Sequence, residues 1–174
     1  MIIHLVRHAE AIDRSQDISE EHRFLTKRGR NRFRKSAASA KKIGITPDLI
    51  LTSPLIRAVQ TAEILAQRLK YKGDLLVSAL LAPGFRPDGL NELLKQYPLA
   101  QEVALVGHEP DFGGVAQTLL GVEASCALKK GAVISFKRPA GQEDGANFMQ
   151  LIDDGGKIIT SRKKALERLL NADT

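Results

Sequence analysis

A chain of 174 residues with 43% hydrophobic content has an ordinary globular composition and can bury one continuous core, so residues 1–174 are expected to form one domain. A single cysteine, Cys126, excludes an intramolecular disulfide framework, and no apolar run approaches the ~18 residues that span a bilayer. The net charge of +6, from 26 basic and 20 acidic residues, predicts an anionic partner.

The chain begins MIIHLV and meets charge at Arg7, without the basic and long apolar regions of a signal peptide, so a cytoplasmic protein with no membrane partner is expected. Residues 2–6 are short, apolar and partly β-branched, which predicts a buried central strand. A polar loop follows to about Leu25. Thr26 is positioned to cap a helix that Gly44 ends. That helix carries Lys27, Arg28, Arg30, Arg32, Arg34 and Lys35, read as a solvated face in preference to a nucleic-acid groove. Two tyrosines, six phenylalanines and no tryptophan leave little for base stacking, so nucleic acid is not the expected partner. A patch that attracts an acidic phosphoprotein is a third alternative.

Residues 49–51 predict a second strand, stopped by Ser53-Pro54. Ser53 is expected to cap the next helix, with Pro54 in its first turn and Leu55, Val59, Ala62, Ala66 and Leu69 on one face. A short strand at 75–77 precedes an irregular segment around Pro83-Gly84 and Pro87. Residues 103–106 predict another buried strand, ending at Gly107. A helix from Pro110 turns Phe112, Val115, Ala116 and Leu119 inward. Two further strands, 132–136 and 147–152, flank the turn-rich 139–147. Asp153-Asp154-Gly155-Gly156-Lys157 reads as a polar turn before a last helix over 161–170 that buries Ala165, Leu166 and Leu169. About 155–174 is read as a C-terminal helical extension. The order predicts an α/β fold whose mostly parallel sheet is covered on both faces.

Ligands on such sheets gather at the carboxyl ends of strands. That rule selects Arg7-His8, Ser53 to Arg57, and Gly107-His108. Arginine forks bind phosphate oxygens and stay charged at any working pH. Neighbouring cations disfavour a second proton on a histidine ring and leave it a neutral nucleophile. The residues therefore predict a phosphate pocket with His8 as nucleophile.

Three blocks carry a family resemblance: Arg7-His8-Ala9-Glu10-Ala11, the stretch from Thr52 to Ala62, and Val106-Gly107-His108-Glu109-Pro110. Together, and in this order, they resemble the signatures of the histidine phosphatase superfamily, also called phosphoglycerate mutase-like. The resemblance implies a three-layer α/β/α sandwich, phosphorylation of His8, and phosphoryl binding by Arg7, Arg57 and His108, with Ser53 as a further substrate-binding residue. Small size and the stretch from Arg23 to Gly29 resemble the SixA-type protein phosphohistidine phosphatases. By that likeness the partner is a phosphohistidine-bearing protein such as a histidine phosphotransfer domain, in signal transduction, with no cofactor and no metal.

Two departures bear on chemistry. Ala9 stands where glycine is more usual, which a negative φ tolerates. Mutases and many small-molecule phosphatases of the superfamily carry a carboxylate between the second arginine and the second histidine, and residues 77–84 have none. Asp88 and Glu92 come later. Glu10, Glu109 and Asp111 are the candidate stand-ins for a general acid. An alcohol leaving group benefits from such an acid by ~10²–10⁴-fold, whereas a P–N bond breaks readily without one. The alternatives are a small-molecule phosphomonoesterase or mutase of the same superfamily, or a phosphoprotein-binding module with a vestigial pocket. His4 is expected in the core or at a sheet edge, and His22 at the surface or pocket rim. Cys126 is excluded as a cysteine-phosphatase nucleophile because Ala132, not arginine, lies six positions on.

Overall fold

The strands form because short β-branched runs are buried on both sides; the helices form because each has one apolar stripe to cover them. In the computed structural model, which describes residues 1–142 and 145–171, these elements are β1 (Ile2–Arg7), α1 (Lys27–Lys42), β2 (Leu49–Thr52), α2 (Ile56–Leu69), β3 (Leu75–Val77), α3 (Pro87–Lys95), β4 (Glu102–Gly107), α4 (Asp111–Leu120), β5 (Val133–Lys137), β6 (Asn147–Ile152), β7 (Ile158–Ile159) and α5 (Arg162–Leu170). The expected turn at 139–147 includes residues 143 and 144, and the C-terminal segment includes 172–174; these lie outside the described residues.

The strands make one sheet in the order β3-β2-β4-β1-β5-β6-β7. β3, β2, β4 and β1 are parallel neighbours, and β5, β6 and β7 follow as successive antiparallel partners. Only β5 and β7 therefore run against β1, and the sheet is mostly parallel as expected.

Alternation along the strands sorts the core into two layers. Ile3, Leu5, Leu51, Val103 and Leu105 pack with α3, α4 and α5 through Leu90, Phe112, Val115 and Leu169. Val6, Ile50, Ala104 and Val106 pack on the other side with Phe33 and Ala37 of α1 and Ala58, Ala62 and Leu65 of α2. The result is the three-layer α/β/α arrangement.

Thr26 caps α1 as expected, its hydroxyl accepting from the Gly29 N–H at 2.8 Å. Gly29 is required by packing, since a Cβ there would lie 2.1 Å from the Glu10 carbonyl oxygen. Gly107 is required likewise: the Phe112 ring passes 2.5 Å from where its Cβ would be.

Three expectations are corrected. α2 begins at Ile56 with Leu55 at its N-cap, so Ser53 does not cap it and Pro54 lies outside its first turn. Its buried face is Ala58, Thr61, Ala62 and Leu65, with Val59, Ala66 and Leu69 only half-buried. This face turns Arg57 and Thr61 inward, where they bond to His8 and Ala9. Finally, residues 153–157 form a hairpin turn, Asp153 Oδ1 accepting from the Gly155 and Lys157 N–H groups, and β7 follows before α5. The C-terminal segment is thus part of the sheet and of the core; Ala165 and Leu169 are buried, while Leu166 is half-buried.

Candidate active site

β2, β4 and β1 are adjacent and parallel, so the residues after them meet at one rim. Arg7 ends β1 and His8 follows it, Ser53 follows β2 and His108 follows β4, while the first turn of α2 supplies Arg57. All four candidate phosphoryl-handling side chains are buried, between 3% and 8% exposed. The His8 and His108 rings lie with centroids 5.2 Å apart.

The hydrogen bonds of His8 define its tautomer. Nδ1 lies 2.7 Å from the Ala9 carbonyl oxygen, which can only accept, so Nδ1 carries the proton. Nε2 then presents a lone pair, to which Arg57 Nε–H donates at 3.2 Å. Burial holds the His8 pKa well below its ordinary value; the cationic Arg57 and Arg7 add to this, against the Ala9 carbonyl. Burial, then Arg57, lowers His108 to about 4. Both rings are neutral at neutral pH.

Each of these groups is held from behind. The Ala9 N–H donates to Thr61 Oγ1 at 3.0 Å, and Ala9 has a negative φ, so its methyl is accommodated. His108 Nε2 and Ser53 Oγ share a 2.7 Å hydrogen bond. The Ser53 hydroxyl, expected on substrate, therefore braces His108. Arg7 Nη1 donates to the Leu128 carbonyl, and Arg7 Nε has no partner.

The candidate acids divide sharply. Glu10 accepts from Thr26 Oγ1 at 3.1 Å and faces Arg28. Asp111 accepts from the Gly84 N–H at 2.8 Å. Asp88 lies beside Arg86 on the surface, and Glu92 is exposed on α3. Glu109 is sealed from solvent at both carboxylate oxygens, and burial raises its pKa to about 7 against the opposing pull of the Leu128 and Gly113 backbone N–H groups and of Arg7.

The loop before α1 brings in residues that the sequence reading passed over. Glu20, on the short turn Glu20–His22, reaches Arg57 Nη2 at 2.8 Å, Arg23 at 2.9 Å and Arg14 at 3.0 Å. Its backbone carbonyl accepts from Arg57 Nη1 at 2.7 Å. Hydrogen bonds from Arg23 and Arg14 outweigh its burial and hold its carboxyl below the usual range. His4 lies in the core, bonded to Ser135 and Glu102, and His22 is exposed beside Ser19. Among the described residues no group of three or more His, Cys, Asp or Glu side chains is placed to hold a metal ion, and no helix is long and apolar enough to cross a membrane.

The profile of the histidine phosphatase superfamily (branch 1) matches residues 3–79, which include the first two signature blocks. An uncharacterized protein of Picosynechococcus sp. is 33% identical over 144 residues, covering 80% of this chain and 87% of its own. The chain belongs to the histidine phosphatase superfamily. Solved structures agree on the fold. The protein histidine phosphatase SixA complexed with tungstate superposes with a TM-score of 0.79 at 22% identity, covering 88% of this chain and 97% of that one. A phosphoserine phosphatase mutant from Entamoeba histolytica, in complex with phosphoserine, does so with a TM-score of 0.63 at 16% identity, over 86% and 95%. The superfamily fold thus accommodates both protein and metabolite phosphatases, and substrate must be argued from the pocket.

Proposed function

We propose that this phosphatase hydrolyses phosphohistidine on a protein, through a covalent intermediate on His8 and without a metal. The observation that carries the reading is the mismatch between two carboxylates at the site, Glu20 and Glu109. Glu20 is on Arg57, where a leaving group could be met, but three arginines keep it ionised. Glu109 retains a proton to about pH 7, but its oxygens are buried away from solvent, against the Leu128 and Gly113 backbone. One has the position and the other the proton affinity. A pocket of this kind suits a substrate whose leaving nitrogen needs no positioned acid.

In the proposed reaction the His8 Nε2 lone pair attacks phosphorus and the P–N bond of the substrate breaks. Its electron pair stays on the departing imidazole nitrogen, which takes a proton from solvent. Arg7, Arg57 and His108 offset charge on the equatorial oxygens. Water then attacks the phosphorus of phospho-His8, releases phosphate with loss of a proton to solvent, and restores the ring. The tungstate held by SixA, an oxyanion of phosphate's shape, supports a phosphate-binding reading of the matching fold. The phosphohistidine would be carried by a protein such as a histidine phosphotransfer domain, which would make the role one in cytoplasmic signalling.

The alternative is a phosphomonoesterase or mutase in which Glu20 or Glu109 moves to protonate an alcohol. A vestigial binding module is disfavoured, because a scaffold has no need of four buried polar groups gathered at one rim of the sheet. The test compares a phosphorylated histidine phosphotransfer domain with p-nitrophenyl phosphate, 3-phosphoglycerate and sugar phosphates, in EDTA throughout. The phosphodomain is expected to give the largest kcat/KM; a metabolite turned over faster, or a requirement for added metal, overturns the corresponding part of the reading.

A further inference from the structure

Beside the phosphoryl pocket lies a cleft of about 230 Å³, lined by Arg7, Arg32, Lys129 and Lys130 together with Glu10 and Asp154. Both acids of this cleft are already matched, Asp154 by Arg32 and Glu10 by Arg28. Lys129 also lines a second, larger groove of about 630 Å³, which continues over Lys157, Lys164 and Arg168 on an apolar floor of Ile158 and Ile159. Lys129, Lys130, Lys157, Lys164 and Arg168 are all exposed, and none of them forms an ion pair among the described residues. A continuous cationic band therefore runs from Arg7 to the last helix.

We propose that this band is the docking surface for an acidic face of the phosphohistidine-bearing protein, seating it so that its phosphoryl group enters beside Arg7. The inference rests on the protein-phosphatase reading above. A phosphohistidine reaches His8 only if the partner's surface meets the rim of the pocket, and Lys129 and Lys130 form one side of that rim. Opposed charges at a rim mainly speed encounter and fix orientation, and salt screens them. An acidic protein fits better than nucleic acid, because neither cavity presents an exposed aromatic ring for a base to stack on. Phe33 is in the lining of the cleft, but its ring is buried in the core under α1.

A separate groove supplies a charge-matched control. Between α1 and α2, Arg34, Lys41, Arg68 and Lys70 line about 560 Å³ with no acid among them, on residues that share no cavity with Arg7. The experiment measures kcat/KM for a phosphorylated histidine phosphotransfer domain of net negative charge, and for the free amino acid phosphohistidine. It uses the full-length protein, K130E/K164E and the control R34E/R68E, after checking that all three share the same Tm. The expected result is a loss of roughly tenfold for K130E/K164E on the phosphodomain, with a flattened salt dependence. Its turnover of free phosphohistidine should stay within twofold, and R34E/R68E should match the parent on both. Equal losses in the two variants, or none in K130E/K164E, overturn the docking surface. Tighter binding of the parent to a DNA duplex than to the phosphodomain also overturns it, assigning the band to nucleic acid. A parent that hydrolyses free phosphohistidine but never the phosphodomain instead sinks the protein-substrate reading on which the band depends.

Discussion

His8 makes two hydrogen bonds that assign opposite duties to its two nitrogens. Nδ1–H is spent on the Ala9 carbonyl, and Nε2, which accepts from Arg57, carries a lone pair and no proton. Replacing His8 by Ala removes the atom proposed to form the intermediate, and turnover should fall by at least about 10³-fold. The Arg57 Nε–H loses one acceptor, so stability should change by no more than about 1–3 kcal/mol. Unchanged turnover in a folded His8→Ala protein would end the nucleophile assignment. Glu109 makes a different prediction. Burial raises its pKa from 4.5 to about 7, so between those values the folded protein binds the proton more tightly than the unfolded chain does. Its contribution to stability is present below pH 4.5 and is lost as pH rises to about 7. Glu109→Gln should therefore gain on the parent protein across that window and keep a constant advantage above it. Urea unfolding at a series of pH values checks this, and parallel curves for the two proteins would contradict it.

The loop between β1 and α1 brings a carboxylate to Arg57, the arginine proposed to bind a phosphoryl dianion. Glu20 and the dianion compete for the Arg57 guanidinium and repel each other. Removing a like charge a few ångströms away, in a partly solvated site, is worth about 1 kcal/mol, or roughly fivefold in affinity. Glu20→Gln should lower the inhibition constant for tungstate by about that factor, and a rise instead would mean that Glu20 mainly orients Arg57. This contact was not legible in the sequence, because the loop has no periodicity and the partners are 37 residues apart. His8, Arg57 and His108 were legible because each follows a strand whose carboxyl end could be recognised from its apolar run. The α2 face was read one step off for a related reason. Hydrophobic spacing identifies a stripe, but Arg57 and Thr61 are buried for polar reasons that spacing does not register. β7 was missed because two residues give no pattern at all.

The whole molecule ties the end of the chain to its beginning. The Leu169 carbonyl in α5 accepts from the Ala127 N–H at 3.0 Å, and the next residue, Leu128, offers its carbonyl to Arg7 Nη1. Three residues further, the Gly131 N–H donates to the Arg7 and His8 carbonyls at 3.1 Å. The segment from Cys126 to Ala132 is therefore clamped between the last helix and the phosphoryl pocket, and it carries Lys129 and Lys130 as well. A reading of residues 155–174 as an appended helix predicts that changes in α5 leave the pocket alone. The bonding pattern predicts the reverse. Leu169 is 2% exposed, so Leu169→Ala should cost about 2–5 kcal/mol of stability. Because the cavity loosens the α5 end of the clamp, Arg7 should lose some of its orientation, and tungstate inhibition of the still-folded enzyme should weaken several-fold. Leu90→Ala in α3 is the matched control: Leu90 is 1% exposed in the same core layer but lies on a helix with no hydrogen bond to this segment. It should lower Tm by a similar amount without changing tungstate affinity at temperatures where both variants are folded. If the two variants weaken tungstate equally, the pocket responds to general loosening of the core and the clamp has no separate role. If only Leu169→Ala does, α5 is a working part of the phosphate site.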